Sequence, residues 1–325
     1  MKSKTINWGI IGAGKIATKF ATDLNTVSNS NFYAIASRNL EKAKAFGKEF
    51  HADIAYGSYE DLVSDSKIDA IYIATPHSFH KEHTMLCLNH NKAVLCEKPF
   101  AMNLKDVEEM IQLSKQKDIL LMEAMWTIFL PHYRYVLGLL QKKHFGNIIK
   151  LEADFGFHPT YDETSRVFNK SVGGGSLLDI GIYPVFVALS TLGQPNSIDA
   201  KAEFFTSGAD SECTIVFNYV NVKAYLKSTL LEKTNTEAIF HCENGTIKIN
   251  GRFHQPSSVT LIDNQGQSEL KTFDNKTIGY SFEIEHFSQL LRDGKTESDI
   301  MTFEKSKQLI GTLDHIRSLI GLEYK

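Results

Sequence analysis

A glycine-rich segment near the beginning of the chain has the residue types that bind the pyrophosphate of a dinucleotide. Its residues are Gly12, Ala13, Gly14, Lys15, Ile16 and Ala17. The apolar run Ile6–Ile11 directly precedes it, as a strand precedes a phosphate-binding turn. The first two glycines of such a turn permit a sharp reversal and a close approach of phosphate, which meets the N-terminus of the next helix. Tight strand-to-helix turns also need small residues for steric reasons, so a turn without a ligand is the alternative interpretation.

Ser37 and Arg38 follow the second apolar run, Phe32–Ala36, where a bound dinucleotide places its adenosine ribose. Proteins that bind NAD usually have an acidic residue here, which would repel a 2′-phosphate. A hydroxyl and a guanidinium instead suit a phosphate monoester, which arginine can bind through two hydrogen bonds. The pair therefore predicts NADP(H) in preference to NAD(H). The alternative is that Arg38 is a solvated surface charge.

Two further sets of residues follow later apolar runs. They are Ala74, Thr75, Pro76, His77 and His80 in the first set, and Glu97 and Lys98 in the second. Ligands bind at the carboxyl ends of parallel strands, so we expect both sets to line the cofactor groove, with His80 fixing the turn. Pro99 interrupts the strand after Lys98, which directs the ammonium group into the groove toward the nicotinamide ribose and the substrate oxygen. A surface ion pair between Glu97 and Lys98 is the alternative.

Another constellation begins with three consecutive glycines, Gly173–Gly175, which permit close backbone approach. Ser176 is expected to cap the helix that follows. Asp179 and Tyr183 are four residues apart, which places both side chains on one face of a helix, toward one substrate. A phenol has an ordinary pKa of about 10 and needs a nearby cation to act as a base at neutral pH. The alternative is that both are ordinary helix residues.

The elements that would position these residues form two patterns. Apolar strand-like runs alternate with helical stretches at first, which predicts an N-terminal doubly wound (Rossmann) parallel sheet in an α/β chain. Later strands with turn signals predict an α+β domain with a large, mainly antiparallel open sheet. We therefore predict a dinucleotide-binding domain over residues 1–125 and a substrate-binding and oligomerisation domain over residues 126–325.

Length, charge and cysteine usage narrow the function classes. The chain of 325 residues is too long for a single ordinary hydrophobic core, because such cores stop growing at about 250–300 residues. With 35 basic and 38 acidic residues, no global positive field recruits nucleic acid or anionic lipid. The chain shows no leader, membrane-length apolar run or disulfide spacing, which predicts a soluble, cytoplasmic protein with four free thiols. His77 and His80 lack the further ligands of a metal site, and we predict none.

Together these motifs resemble the Gfo/Idh/MocA oxidoreductase family. Besides the segments above, the resemblance is carried by Met122–Pro131, Gly173–Pro184, Gly279–Glu283 and the pair Ile316-Arg317, so it covers nearly the whole chain. The subfamily it most resembles contains the dimeric trans-dihydrodiol dehydrogenases and the NADP-dependent D-xylose dehydrogenases. The resemblance implies that Lys98 is the catalytic lysine and that Tyr183 carries the proton where many relatives have histidine. It also implies a homodimer that associates through the open sheet.

The resulting hypothesis is an NADP-dependent oxidoreductase that transfers a hydride between nicotinamide and a carbinol or carbonyl of a sugar, polyol or trans-dihydrodiol. Tyr183 handles the hydroxyl proton, Lys98 stabilises the developing alkoxide, and Asp179 orients the reacting groups. Candidate pocket residues are Trp126, Phe129, His158 and Arg166. Ile128 stands where relatives commonly have arginine, which removes any polar contact made there. The alternatives are a glycosidase-type enzyme with retained NAD and a catalytically silent nucleotide-sensing regulator.

Overall fold

The computed structural model describes residues 4–324, and the chain divides into two compact units. Unit 1 contains Met1–Trp126 and Asn275–Lys307, and unit 2 contains Thr127–Asp274 and Gln308–Lys325. The predicted boundary after residue 125 lies beside the end of the first segment of unit 1. The linear division of the chain, however, omits the return of residues 275–307 to that unit.

The described part of unit 1 is built on a six-stranded parallel sheet. Its strands are β1 (Ile6–Ile11), β2 (Ser30–Ala36), β3 (Ile54–Tyr56), β4 (Ala70–Ile73), β5 (Ala93–Glu97) and β6 (Leu121–Ala124). Its helices are α1 (Lys15–Leu24), α2 (Leu40–Phe50), α3 (Tyr59–Ser64), α4 (His80–Asn89), α5 (Leu104–Lys117) and α8 (Ser281–Arg292). The strand order β3-β2-β1-β4-β5-β6 changes direction between β1 and β4. This is the predicted doubly wound sheet, whose ligands bind at that switch point.

Apolar packing and one carboxylate explain why α8 belongs to unit 1. Trp8 of β1 is fully buried, and its ring centroid lies 5.2 Å from that of Phe287 in α8 and 5.5 Å from that of Phe20 in α1. Asp23 of α1 accepts hydrogen bonds from three backbone amides just before and at the start of α8, at 2.8–3.1 Å. A carboxylate at a helix N-terminus satisfies amides that have no partner within the helix and complements the helix dipole.

The described part of unit 2 contains an eight-stranded sheet. Its strands are β7 (Ile148–Gly156), β8 (Ser197–Phe204), β9 (Asp210–Asn218), β10 (Lys223–Thr229), β11 (Ala238–Cys242), β12 (Gly245–Ile249), β13 (Val259–Asp263) and β14 (Ser268–Lys271). Its helices are α6 (Pro131–Gln141), α7 (Ile182–Leu192) and the part of α9 (Phe303–Ile320) beyond residue 307. The order is β14-β13-β12-β11-β7-β10-β9-β8, and among the described strands of this sheet only β7 and β10 pair in parallel. The predicted, mainly antiparallel sheet is therefore confirmed.

The two faces of this sheet differ in burial. Leu151, Leu226 and Phe240 alternate onto one face and are at most 2% exposed, and α7 packs against β7 and β10. Tyr225 points to the opposite face and is 43% exposed. The period-two alternation of an antiparallel sheet produces this difference, because successive side chains point to opposite faces.

One helical segment among residues 4–324, Lys170–Leu192, is long and apolar enough to cross a membrane. Its most apolar window has a mean hydropathy of 1.6, but 83% of that window is buried inside the protein. Burial of this kind is typical of the core helix of a soluble protein. All four cysteines are buried free thiols, as predicted.

Candidate functional site

The turn between β1 and α1 contains the two glycines of the motif, and their surroundings bear on whether the turn binds a pyrophosphate or needs glycine only for its own packing. Gly12 has a φ of +99°, and a Cβ atom there would lie 2.9 Å from the carbonyl oxygen of Ala74, so the fold itself requires glycine. At Gly14, no described atom beyond the adjacent backbone lies within 4 Å of a Cβ position. Gly14 also precedes α1 without offering a side-chain cap to its first amides. Open space in front of a helix N-terminus fits a pyrophosphate.

Arg38 is exposed directly after β2, and the buried Ser37 accepts a hydrogen bond from the amide of Asn39 at 3.3 Å. Burial raises the pKa of Tyr59, and the positive charge of Arg38 partly opposes that shift. Burial lowers the pKa of His83, and the same guanidinium contributes to lowering it. The ring centroids of Tyr59 and His83 lie 4.7 Å apart. Both side chains are therefore close enough to Arg38 to be influenced by its charge, and neither was predicted as a site residue.

His83 connects this region to the segment after β4. Its Nδ1 lies 3.0 Å from the hydroxyl of Thr75. His80, which is fully buried, faces two carbonyl oxygens, with Nδ1 at 2.7 Å from Pro99 and Nε2 at 2.9 Å from Thr75. Burial lowers the pKa of His80 to about 4, although the two carbonyl contacts act in the opposite direction. His80 therefore joins the turns that follow β4 and β5, and His77 is buried beside it with 5.7 Å between the ring centroids.

Glu97 ends β5 and is only 6% exposed. One carboxylate oxygen accepts a hydrogen bond from the phenol of Tyr72, and the other accepts one from the backbone amide of Lys98 at 3.1 Å. Lys98 is half-buried immediately after the strand. The carboxylate of Glu97 is therefore inside unit 1, whereas Lys98 is partly exposed.

In unit 2, the predicted cap at Ser176 is wrong. The backbone of Ser176 is already helical, with φ −70° and ψ −40°, and its hydroxyl donates to Asp210 at 2.7 Å. The same carboxylate oxygen of Asp210 accepts the amide hydrogen of Leu177 at 2.7 Å. Asp210 belongs to β9, so the cap comes from a residue distant in sequence and no local pattern could indicate it. The helix begins with a π-helical turn over Leu177–Gly181 before α7 continues it.

The structure brings two predicted residues of unit 2 together. Arg166 donates to Asp179 at 2.8 Å, and the Asp179 side chain is 11% exposed whereas that of Arg166 is 40% exposed. The guanidinium stabilises the charged form of the carboxylate, which can then accept a hydrogen bond from a hydroxyl.

Tyr183 lies one turn later, at the start of α7, and is 6% exposed. Its ring centroid is 4.9 Å from that of His254 and 5.8 Å from that of Phe155. His254 and Phe155 stack at 4.2 Å, and the carbonyl of His254 accepts a hydrogen bond from Thr127 at 2.9 Å. These aromatic neighbours were not predicted, because a single histidine in a loop and a phenylalanine in a strand carry no motif.

The remaining pocket candidates have different environments. Trp126 is 4% exposed and stacks on Tyr280 at 4.4 Å within unit 1. In unit 2, Ile128 and Phe129 are buried and His158 is exposed. Within residues 4–324, no cluster of three or more His, Cys, Asp or Glu side chains is arranged to hold a metal ion.

Comparison with known proteins agrees with both halves of the fold. The family described as "Oxidoreductase family, NAD-binding Rossmann fold" matches residues 6–125, and the Gfo/Idh/MocA C-terminal domain matches residues 133–248. A trans-1,2-dihydrobenzene-1,2-diol dehydrogenase of Xenopus tropicalis is 35% identical, with 98% of each chain covered. A scyllo-inositol 2-dehydrogenase (NADP(+)) of Bacillus subtilis (strain 168) is 31% identical over the same shares.

A solved structure extends the similarity to three dimensions. A 3-ketoreductase from Actinomadura kijaniata, in complex with NADP and TDP-benzene, has a TM-score of 0.88 and 25% identity, with 98% of each chain covered. The sequence matches span both units, and the resemblance inferred from the motifs is thereby confirmed. The chain is an enzyme that belongs to the Gfo/Idh/MocA family of NAD(P)-dependent oxidoreductases acting on CH–OH groups.

Proposed function

We propose that this enzyme is an NADP-dependent dehydrogenase or reductase of a carbinol or carbonyl in a sugar, polyol or trans-dihydrodiol. The open space at Gly14 carries the proposal, because no contact within the protein requires glycine there whereas an approaching pyrophosphate does. The named substrates of two relatives, a dihydrobenzene diol and an inositol, are both ring compounds with more than one hydroxyl group. They support a polyhydroxylated substrate.

Separate groups of residues would hold the cofactor. Gly12, Ala13, Gly14, Lys15 and Ile16 would surround the pyrophosphate. Ser37 and Arg38 would bind the 2′-phosphate, which favours NADP(H) over NAD(H). Ala74, Thr75, Pro76, His77, Glu97 and Lys98 would line the groove toward the nicotinamide, with His80 tying its two turns together. When bound, the nicotinamide supplies or accepts the hydride.

Three side chains would carry out or support the acid-base chemistry. During oxidation, the Tyr183 phenolate takes the proton of the substrate hydroxyl as the carbon–oxygen bond becomes a carbonyl, and during reduction the phenol returns it. The ammonium group of Lys98 stabilises negative charge on the substrate oxygen and favours the phenolate form of Tyr183. Asp179, held by Arg166, accepts a hydrogen bond from a substrate hydroxyl and orients it. Trp126, Phe129 and His158 complete the proposed pocket.

The proposal also includes a homodimer formed through the half-exposed face of the unit 2 sheet, and a cytoplasmic location. Four buried free thiols are consistent with the reducing cytoplasm.

An exchangeable nicotinamide cofactor is consistent with net oxidation or reduction of a substrate, which is why we prefer this function to the glycosidase-type alternative.

A substrate panel tests the function directly. Aldoses, polyols and trans-dihydrodiols are assayed with NADP and NADPH by the absorbance of the reduced nicotinamide. For the active substrate, Lys98→Met and Tyr183→Phe should each lower kcat by roughly 10²–10⁴-fold, because each removes a positioned electrostatic or acid-base group. NADP binding, measured separately by fluorescence, should change little.

Two matched variants control for nonspecific effects. Lys105→Met removes a lysine whose side chain is 85% exposed on α5, and Tyr135→Phe removes a hydroxyl from α6. Both should retain wild-type turnover. Near-normal turnover of Tyr183→Phe would assign the proton to another group. Glycoside hydrolysis without net nicotinamide reduction would favour the glycosidase-type alternative, and nucleotide binding without any turnover would favour the regulator.

A further inference from the structure

Tyr324 reaches back from the segment after α9 to the triple-glycine turn of unit 2. The helix ends at Ile320, and Gly321 reverses the chain with a φ of +69°. Leu322 is 3% exposed, and its amide donates to the carbonyl of Arg317 at 2.9 Å. The hydroxyl of Tyr324 then donates to the carbonyl of Gly174 at 2.9 Å. The segment is therefore anchored at Leu322 and again at Tyr324.

The Tyr324 ring is held in a specific electrostatic setting. The guanidinium of Arg317 lies 5.3 Å from its centroid, a cation–π distance. Burial is the main cause that raises the pKa of Tyr324 far above its ordinary value, and the negative charges of Asp210 and Asp179 add to it. The phenol therefore remains a neutral hydrogen-bond donor across the physiological pH range.

The triple-glycine turn of unit 2 connects this contact to the backbone around Arg166. The amide of Gly174 donates to Asn169, and the amide of Gly175 donates to Val167, both at 2.9 Å. A Cβ atom on Gly174 would lie 2.5 Å from the carbonyl oxygen of Arg166, so the two backbones are in direct contact. Any shift of the turn must therefore move the backbone that carries the Arg166 side chain.

We propose that Tyr324 is a positioning residue that fixes the glycine turn and, through it, the Arg166–Asp179 pair that orients a substrate hydroxyl. The inference rests on the proposed function, since it assigns the pair to substrate orientation. Tyr324 acts through the turn and does not itself contact the reacting atoms. Its hydroxyl, and not only its ring, is the group that matters.

The test compares two tyrosines that make the same kind of bond. Tyr324→Phe removes the donor to Gly174, whereas Tyr219→Phe removes a phenol that donates to the carbonyl of Gly193 at 3.0 Å elsewhere in unit 2. We expect kcat/KM of Tyr324→Phe to fall roughly tenfold, because small misplacements of orienting groups cost up to about 10²-fold. NADP binding should be unchanged, and Tyr219→Phe should keep the wild-type kcat/KM.

A double-mutant cycle then examines the route of the effect. If Tyr324 acts through Arg166, adding Tyr324→Phe to an Arg166→Ala enzyme should cause no further loss of kcat/KM. A full tenfold loss in that background would overturn the proposal, as would wild-type kcat/KM in Tyr324→Phe alone.

Hydrogen exchange separates failure of this inference from failure of the proposed function. Faster exchange of the Gly174 and Gly175 amides in Tyr324→Phe, with no such change in Tyr219→Phe, supports the coupling even if the wild-type enzyme is inert toward the whole substrate panel. That inertness would count against the proposed function alone. Unchanged exchange of both amides would overturn the coupling itself.

Discussion

Arg38 gives the most direct test of cofactor choice at the scale of a single residue. Its side chain is exposed after β2, and its charge influences both Tyr59 and His83. NADP differs from NAD only by the 2′-phosphate, so a residue that binds this group changes the affinity for one nucleotide and leaves the other unaffected.

Arg38→Ala should weaken NADP binding by roughly one to two orders of magnitude. Hydrogen bonds to charged groups contribute about 1.5–3 kcal/mol, and about 1.4 kcal/mol corresponds to a tenfold change in affinity. Binding of NAD should hardly change. The two nucleotides are titrated against wild type and variant by intrinsic fluorescence, for which the chain has two tryptophans.

Lys48→Ala is the charge-matched control, because Lys48 is exposed in the last turn of α2. It should leave both affinities unchanged. If Arg38→Ala lowers the affinity for both nucleotides equally, or if the wild-type enzyme binds NAD more tightly than NADP, Arg38 does not bind the 2′-phosphate.

Individual residues differ in how far the sequence alone can place them. Gly12 and Gly14 share one motif, yet only the structure shows that the fold requires glycine at the first and not at the second. Ser176 looked like a helix cap, but Asp210 provides that cap from another strand. His254 contacts Tyr183 without any sequence signal. Local motifs indicated the chemistry, whereas contacts between distant segments required the folded chain.

At the scale of secondary structure, apolar periodicity identified the elements that have a buried face. β1 has the bounds of the apolar run Ile6–Ile11, and β2 begins two residues before the run Phe32–Ala36 and ends with it. β14 and α3 are not marked by such an apolar run. β14 is exposed along its whole length and has no apolar alternation, and α3 is a single short helix. The α3 helix did carry a local signal, since Ser58 accepts the amide hydrogen of Asp61 at 3.1 Å as an N-cap.

Helix α8 contains an element-level feature with a measurable consequence. Glu283 is fully buried, and neither carboxylate oxygen has a hydrogen-bond partner among the described residues. Burial raises the pKa of Glu283 well above its ordinary value, and the charges of Glu97 and Asp23 add to the shift. Between its unfolded and folded pKa values, the native state binds more protons than the unfolded state. The stability contribution is therefore present below the unfolded pKa and is lost as pH rises through the folded pKa.

Glu283→Gln should flatten this pH dependence, because glutamine has nearly the same shape and does not ionise. The wild-type enzyme loses up to about 1.4 kcal/mol per pH unit from this group over the affected range. The melting temperature of the variant relative to wild type should therefore rise by several degrees between pH 5 and pH 8, at roughly 2–4 °C per kcal/mol. Calorimetry at several pH values measures the difference.

Burial also raises the pKa of Glu123 to about 7, but both proteins retain Glu123 and its effect cancels in the comparison. Glu285→Gln, at an exposed position of the same helix, should leave the pH profile unchanged. Parallel melting curves for Glu283→Gln and wild type across the pH range would show that Glu283 does not titrate in this way.

At the scale of the whole molecule, the half-exposed face of the unit 2 sheet is the proposed surface for a second copy. The pairing register aligns Ile239, Glu152, Tyr225 and Val216 across four neighbouring strands on this face. The row therefore has one charged side chain, that of Glu152, among three apolar or aromatic ones. A mixed surface of this kind remains soluble in the monomer and can still bury aromatic area in a dimer.

Tyr225→Asp should convert the proposed dimer to a monomer. The substitution removes the aromatic ring near the centre of the row and places a second carboxylate beside Glu152, which disfavours burial of both. Sedimentation velocity at micromolar concentration should show wild type at the mass of a dimer and the variant at the 36.6 kDa of one chain.

Val220→Asp provides the control, because Val220 is 84% exposed in the turn between β9 and β10 and lies outside the row. It introduces the same charge and should leave the dimer intact. A specific interface buries about 1,200–2,000 Å², so one central substitution has a large effect only if this face is the one covered. A dimer that persists in Tyr225→Asp would place the interface elsewhere, and a monomeric wild type at high concentration would remove the dimer altogether.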